Sequence, residues 1–516
     1  MTDTKPQYRL GAVLAYTIIV LNILVGLVMS SLLGKALGQT DYGLYQALGS
    51  LVGSIMIMDF GLGSTVIRYV SKYRTEGDEA GMERFLGMIA VLYVGIGIII
   101  LLVGTVMYQF LPSFYDKLTP DQLGMAKKMV VVLVGNLMCS MLLNMFPAVL
   151  TAYEQFVLPR AAGICRIFLR AGLLLLMIRR GTNPLQVVIL DTCLNVVYMS
   201  VNVCYVLFRL KIRFRWGGFD RPLLREVFTY SIFIFLNLIM SESYWNVGKI
   251  IMPRLDVALT SVVAVGFQVP AYFMEFSGAL SGLFLPRATQ MVVRSANSEE
   301  LTDLMIRVGR LQMMVIALVV IGFALCGMQF LRLWMGEMLG DQIWHAYLIA
   351  LMLIFALVVP LFQSTAISIL QAMNRHAFRA VMLTFVAVLN ILLTVVLVRR
   401  YGAVGTAIST TLSLIVGNVL ASNWYYHKKV GLNIPRFFRE GLRGILPAAL
   451  LATAVSALTL LLPQAGFAWL LVRVVIILVV YVACMLTLGM NAGERALVRS
   501  LLSGAKRRLR KGDAHG

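Results

Sequence analysis

Two arginines and four carboxylates stand in this sequence where charge is costly. Arg166 and Arg170, in CRIFLRAG, lie four residues apart, and Asp59, Asp191, Glu242 and Glu275 each interrupt an apolar run. An ionisable group at membrane depth costs roughly 2.5 to 3.5 kcal/mol on insertion scales, so such groups usually face a protein interior or a watery cavity. Residues four apart share one helix face. At 1.5 Å per residue Arg166 and Arg170 sit about 13 and 20 Å in from the end of their span, which favours an interior-facing role for Arg170. Snorkelling, or a structural pair with Asp191 at similar depth, is the alternative for these two; snorkelling alone accounts for Arg160 and Arg473. For Asp59 and Glu275 two readings stay open: proton or sodium sites, or structural partners of the arginines. Glu242 and Lys249, two turns apart, form a polar helix face that could line a crevice. Lys35, Arg254 and Arg332 fall at helix ends and read as interface anchors.

Asp59 and Arg68 share the stretch MDFGLGSTVIRYVSKY. In an unbroken helix nine steps of 100° set them on opposite sides, about 13 Å apart along the axis. Only a break at Gly61 or Gly63 would alter that. Arg68 ends a stripe of Ser50, Ser54, Ile57, Gly61 and Ser64 at one membrane face, while Asp59 points away from it.

Other chemistries are not encoded. The sequence has no GxxxxGK[ST] for a nucleotide, and the glycines at 61 and 63 belong to no βαβ unit. The six cysteines (139, 165, 193, 204, 326 and 484) show no CxxC spacing and the four histidines no HExxH, so no metal is expected. No cofactor and no enzymatic reaction is expected either. The polar N-terminus MTDTKPQYRL leads into a span too long for a signal peptide.

The elements that must hold these charges are membrane helices. Of 516 residues 59% are hydrophobic and 13% charged, with a mean hydropathy of +0.84, and segment after segment is long enough to cross a core of about 30 Å. The spans fall near 11–33, 43–67, 85–111, 129–151, 157–178, 185–208, 226–248, 260–286, 305–331, 343–372, 377–398, 402–425, 444–463 and 467–489. That makes an all-α integral membrane protein of about 14 transmembrane helices. Most of the 45 Lys and Arg lie in the two tails and the even-numbered loops, which puts both termini in the cytoplasm. The net charge of +21 is therefore a signature of orientation rather than of nucleic-acid binding.

RLKIRFRWGGFDRPLLR, residues 209–225, is the natural boundary between halves. The division is a six-helix lobe at 1–208, the basic cytoplasmic linker at 209–225, a second six-helix lobe at 226–425, two further helices at 426–489 and a basic tail at 490–516. Offsets of 216 and 220 align parts of the two lobes, with Asp59 matching Glu275. Six helices each, an even number, implies halves related by a pseudo-two-fold along the membrane normal. Helix 260–286 contains Pro270 and is the candidate for a bent, moving element.

GLYQALGSLVGSIMIMDFGLGSTVIRYVSKY, QAMNRHAFRA and RRYGAVGTAIST, set in these paired halves, together resemble the polysaccharide, or O-antigen, flippases of the MOP transporter superfamily. The resemblance spans nearly the whole chain through loose motifs. It implies a two-lobed bundle with a central cavity that opens alternately to each side. The implied substrate is an oligosaccharide on a polyprenyl diphosphate, moved from the cytoplasmic to the outer leaflet of the bacterial inner membrane for cell-surface polysaccharide synthesis. In that setting Arg68, Arg166, Arg170 and Arg287 would form a cationic cavity, since a diphosphate suits planar guanidinium donors. Asp59, Asp191, Glu242 and Glu275 would couple H+ or Na+ or pair the cations. Partners would be the lipid-linked oligosaccharide, membrane lipids and other polysaccharide-assembly proteins. A multidrug or cation antiporter of the same superfamily would need a more acidic cavity. A membrane-embedded glycosyltransferase or polymerase would need a larger external loop than LPSFYDKLTPDQLGMAKK.

Overall fold

The computed structural model describes residues 4–218, 220–282, 291, 297–373 and 376–496. Among these residues every regular element is helical. In lipid each backbone N–H and C=O must be satisfied within its own segment, which selects the helix. The elements that matter below are α1 (Thr4–Gly53), α2 (Leu62–Glu76), α3 (Glu79–Phe114), α4 (Pro120–Leu143), α5 (Met145–Ala152), α6 (Val157–Arg179), α7 (Pro184–Cys204), α8 (Arg221–Ile251) and α9 (Val257–Gly282). They are followed by α10 (Ser298–Leu339), α11 (Ile343–Phe362), α12 (Ser364–Ala372), α13 (His376–Leu414), α14 (Ile434–Leu442), α15 (Ile445–Ala457) and α16 (Phe467–Cys484).

By length and composition nine of the described helices can cross a membrane, or ten if the bent pair Ile434–Leu442 and Ile445–Leu461 counts as one span. The protein is a multi-pass membrane protein. Three helical runs exceed one crossing: Thr17–Met56, Ser298–Phe362 and Val381–Val430, of 40, 65 and 50 residues. Even the shortest reaches about 60 Å, twice the bilayer core. Each is interrupted, at Gly38, at the 3-10 turn Gly340–Gln342 and at Gly402.

The clearest departure from the sequence reading lies at 43–67. The helix tightens to a 3-10 turn over Ser54–Asp59 and then reverses through Phe60 (φ 51°) and Gly61 (φ 72°) before α2 begins. Glycine adopts a left-handed φ without steric cost; a phenylalanine there is strained and held by its surroundings. Phe60 packs against Phe235 with ring centroids 4.5 Å apart. The continuous stripe from Ser50 to Arg68 is therefore cut, and the helical angle between Asp59 and Arg68 no longer applies.

The chain divides into two compact units. The first comprises Met1–Tyr272, Met335–Leu353 and His376–Gly417. Within it α6 packs on α1, α4 on α3, α7 on α4 and α8 on α13. Two of the site-bearing helices start from the same device. Thr119-Pro120 and Asn183-Pro184 open α4 and α7 as capping boxes, each closed by a glutamine, Gln122 and Gln186. The linker is fastened to α3: the Arg215 amide donates to the Glu83 carbonyl at 3.1 Å, and the Arg215 carbonyl lies where a side chain on Gly87 would begin, 2.2 Å from an ideal β-carbon. At other helix ends Tyr115 donates to the Ile250 carbonyl at 3.1 Å and Arg254 to the Phe114 carbonyl at 3.0 Å. Lys35 pairs with Glu337 at 2.9 Å, so Lys35 and Arg254 bind protein groups.

The second unit comprises Phe273–Trp334, Ile354–Arg375 and Asn418–Gly516. The short amphipathic α14 seats Phe437, fully buried, against Phe362 with ring centroids 4.4 Å apart. Arg310 grips Glu494 through two bonds of 2.6 and 3.0 Å and donates to the carbonyls of Glu440, Arg443 and Gly489. Arg473 corrects the expectation of snorkelling. It is 1% exposed and donates to the Gln329 amide oxygen at 2.6 Å and the Leu325 carbonyl at 2.8 Å, so its charge is solvated by protein dipoles.

Candidate functional site

A cavity of about 410 Å³ lies in the first unit, walled by α1, α4, α6 and α7. Gly49 and Gly53 form the α1 wall and remove side-chain bulk there. From α6 come Arg166 and Arg170, one turn apart, and from α7 come Asp191 and Asn195, also four apart. The i,i+4 spacing on two adjacent helices places all four side chains toward one space.

Arg170 and Asp191 form a bidentate pair. The arginine donates from Nε to Oδ1 at 2.5 Å and from a terminal nitrogen to Oδ2 at 2.9 Å. The Tyr45 hydroxyl on α1 donates to the same Oδ2 at 3.2 Å. Of the alternatives the sequence left open for Arg170, the structure shows the pair with Asp191. Arg166 differs: it donates to the side-chain oxygen of Asn195 at 3.1 Å and lies over the Tyr198 ring, 5.1 Å from the centroid. No carboxylate pairs with it among the described residues.

A third helix supplies a feature not singled out from the sequence. In NLMCSMLLN, Asn136, Ser140 and Asn144 recur every four residues along α4 and its end, and all three line the cavity. Asn195 donates to Asn136 at 2.8 Å and to Ser140 at 2.7 Å. The signal was present: three polar residues with helical spacing inside an apolar span.

Asp59 is reached through this row. Asn144 donates to its Oδ1 at 3.0 Å, and Tyr93, fully buried on α3, donates to the same atom at 3.0 Å. Neutral groups thus hold Asp59, and no arginine is bonded to it among the described residues. A second cavity of about 210 Å³ shares Gly49, Asn136 and Asp191 with the first and adds Tyr45 and Asn246. Asn246 donates to Glu242, which places that carboxylate beside the second cavity.

The remaining expected residues stand elsewhere. Arg68 is exposed on α2, close to the Tyr69 ring, and does not line either cavity. Glu275 is exposed on α9. Arg287 lies outside the described residues. Asn390, a candidate for sugar contacts by type, is buried and donates to Thr410 at 3.1 Å, a bond within α13 and its continuation. The six cysteines make no disulfide among the described residues, and no group of three or more metal-ligating side chains occurs there.

The architecture matches solved transporters. The lipid II flippase MurJ, in an inward closed conformation, superposes with a TM-score of 0.69 at 16% identity, over 92% of this chain and 97% of that one. A multidrug resistance MATE family transporter of the MOP superfamily, in an inward-facing conformation, gives 0.63 at 14% identity, over 81% and 98%. A eukaryotic MATE transporter gives 0.56 at 15% identity, over 85% and 98%. No protein-family model and no curated protein sequence matches the chain. The fold is that of the MOP-superfamily transporters, and the expected resemblance to the flippases of that superfamily holds at the level of fold. These three solved structures are a flippase and two transporters.

Proposed function

We propose that the chain is an alternating-access flippase that moves a polyprenyl-diphosphate-linked oligosaccharide from the cytoplasmic to the outer leaflet of the bacterial inner membrane, for cell-surface polysaccharide synthesis. The observation that carries this reading is Arg166: a guanidinium lining the cavity, bonded to an amide and, among the described residues, to no carboxylate, beside a second arginine four residues on. Such an array suits an anionic head with several oxygens. The amide and hydroxyl row of Asn136, Ser140, Asn144 and Asn195 offers polar contacts beyond the phosphates. Both termini lie in the cytoplasm in this reading, the linker 209–225 separates two six-helix lobes, and Arg68 and Arg287 serve the cationic path. Asp59, Asp191, Glu242 and Glu275 remain the groups for H+ or Na+ coupling. A cation exporter with this fold would be opposed by the same arginine, which pairs with no carboxylate among the described residues.

The test is export in cells. Arg166→Ala and Arg170→Ala should each abolish surface glycan while the protein stays in the membrane at its usual level. Full export by the double variant would refute the assignment.

A further inference from the structure

We infer that the linker segment 208–216 is a binding site for acidic phospholipid headgroups, held by Lys211, Arg213 and Arg215 at the edge of the membrane-spanning part of α3. It stands apart from the cavity and does not rest on the substrate read there.

The depth of the segment is set by α3. That helix carries Glu79, Glu83 and Arg84 in its first two turns and no charge from Phe85 to Phe114. The Arg215 amide bonds to Glu83 and the Arg215 carbonyl lies against Gly87, so the linker crosses α3 where the charged turns give way to the apolar span. The face it crosses is also defined. Val91, Val94 and Ile98, four, seven and eleven residues beyond Gly87, fall on the same side of the helix, and all three are exposed apolar side chains that face lipid in a membrane. Val91 lies about 6 Å further along the axis. The linker therefore runs over the lipid-facing stripe of α3 at its end, at the level of the headgroups.

Within the segment the side chains alternate. Ile212 is buried and Phe214 packs on Phe146 with ring centroids 5.6 Å apart, while Lys211, Arg213 and Arg215 between and beside them are exposed. Lys211 and Arg213 enter no ion pair among the described residues, and Arg215 meets Glu83 at 3.6 Å with 70% of its side chain exposed. Trp216 is exposed beside them, a residue type that settles at the headgroup level. Phe208, at the other end, is exposed and apolar.

The acids nearby are engaged or stand further out. Asp78 caps α3 and Asp220 caps α8, and Glu76 and Glu79 stand at the α2–α3 turn, beyond Glu83 from the apolar span. An acidic lipid offers phosphate oxygens to the guanidinium forks and the ammonium group. In phosphatidylcholine the choline already neutralises that phosphate, so the strip favours the acidic lipid.

The experiment places the full chain in nanodiscs of phosphatidylcholine and phosphatidylglycerol, with bromine on one lipid or the other, and reads quenching of Trp216 as the difference between the wild type and Trp216→Phe. Quenching against lipid composition gives the relative affinity of the two lipids at the strip. Phosphatidylglycerol should be preferred about fivefold in the wild type, and not at all in Lys211→Gln/Arg213→Gln/Arg215→Gln. In the wild type alone, raising KCl from about 0.1 to 1 M shortens the screening length from about 10 to 3 Å and should remove most of the preference. No preference in the wild type, the same preference in the triple variant, or a preference indifferent to salt would overturn the assignment. So would a Trp216 that neither brominated lipid quenches, which would lift the strip off the bilayer and turn its charges toward an acidic soluble partner.

Discussion

Arg170→Ala separates what the Arg170–Asp191 pair does for folding from what it does for transport. Removing one member of a fully buried ion pair costs about 3 to 5 kcal/mol, because the other charge is left without compensation. Here the side chains retain 33% and 30% of their exposure, and water reaching the cavity screens the orphaned carboxylate. Tyr45 also continues to donate to it. A loss of about 2 kcal/mol follows, roughly a thirtyfold change in the ratio of folded to unfolded protein. Arg170→Ala/Asp191→Ala removes both charges together, and should recover most of that loss, to within about 1 kcal/mol of wild type. Thermal stability of the purified variants, read as the fraction remaining monodisperse after heating, measures the cycle. Surface glycan in cells measures transport. Stability should return in the double variant and export should not, because the guanidinium that receives the anion is still missing. Restored export in the double variant would make Arg170 a purely structural partner and refute the reasoning; so would an Arg170→Ala protein as stable as wild type.

Other variants probe the scaffold. Tyr93→Phe deletes one of two bonds to Asp59 from a fully buried site and should lower stability by about 1.5 kcal/mol in a thermal melt. Gly87→Val places atoms where the Arg215 carbonyl lies. It should lift the linker from α3 and expose 209–218 to limited proteolysis. Arg310→Ala strands Glu494, whose side chain is 12% exposed, and should cost about 3 to 5 kcal/mol. Its signature is early proteolytic loss of the segment after Gly489, ahead of cleavage elsewhere.

Much of this was legible because lipid simplifies the code. Long apolar runs declare an all-helical membrane fold, and charges inside them declare an interior, so Arg166, Arg170 and Asp191 could be singled out by depth and spacing alone. What depth could not supply was partnership. Asp59 is bound by Tyr93 and Asn144 from two other helices, and no helical wheel of its own segment contains them. The break at Phe60 and Gly61 was equally hidden: a phenylalanine at φ 51° is set by packing against Phe235, not by local propensity. Arg473 misled for a related reason. A position near a helix end suggests snorkelling, but here a neighbouring helix supplies Gln329 and Leu325 as acceptors and closes over the charge. The row Asn136, Ser140 and Asn144 was visible as a period of four and went unremarked, since attention to charge passes over amides.

The most direct measurement is transfer of a fluorescent, saccharide-bearing isoprenyl diphosphate across proteoliposomes that hold the purified chain. Transfer by the wild type, and none above empty vesicles by Arg166→Ala/Arg170→Ala reconstituted at equal density, is the result expected if the cavity arginines receive the anionic head. Equal rates from the two proteins would contradict that claim.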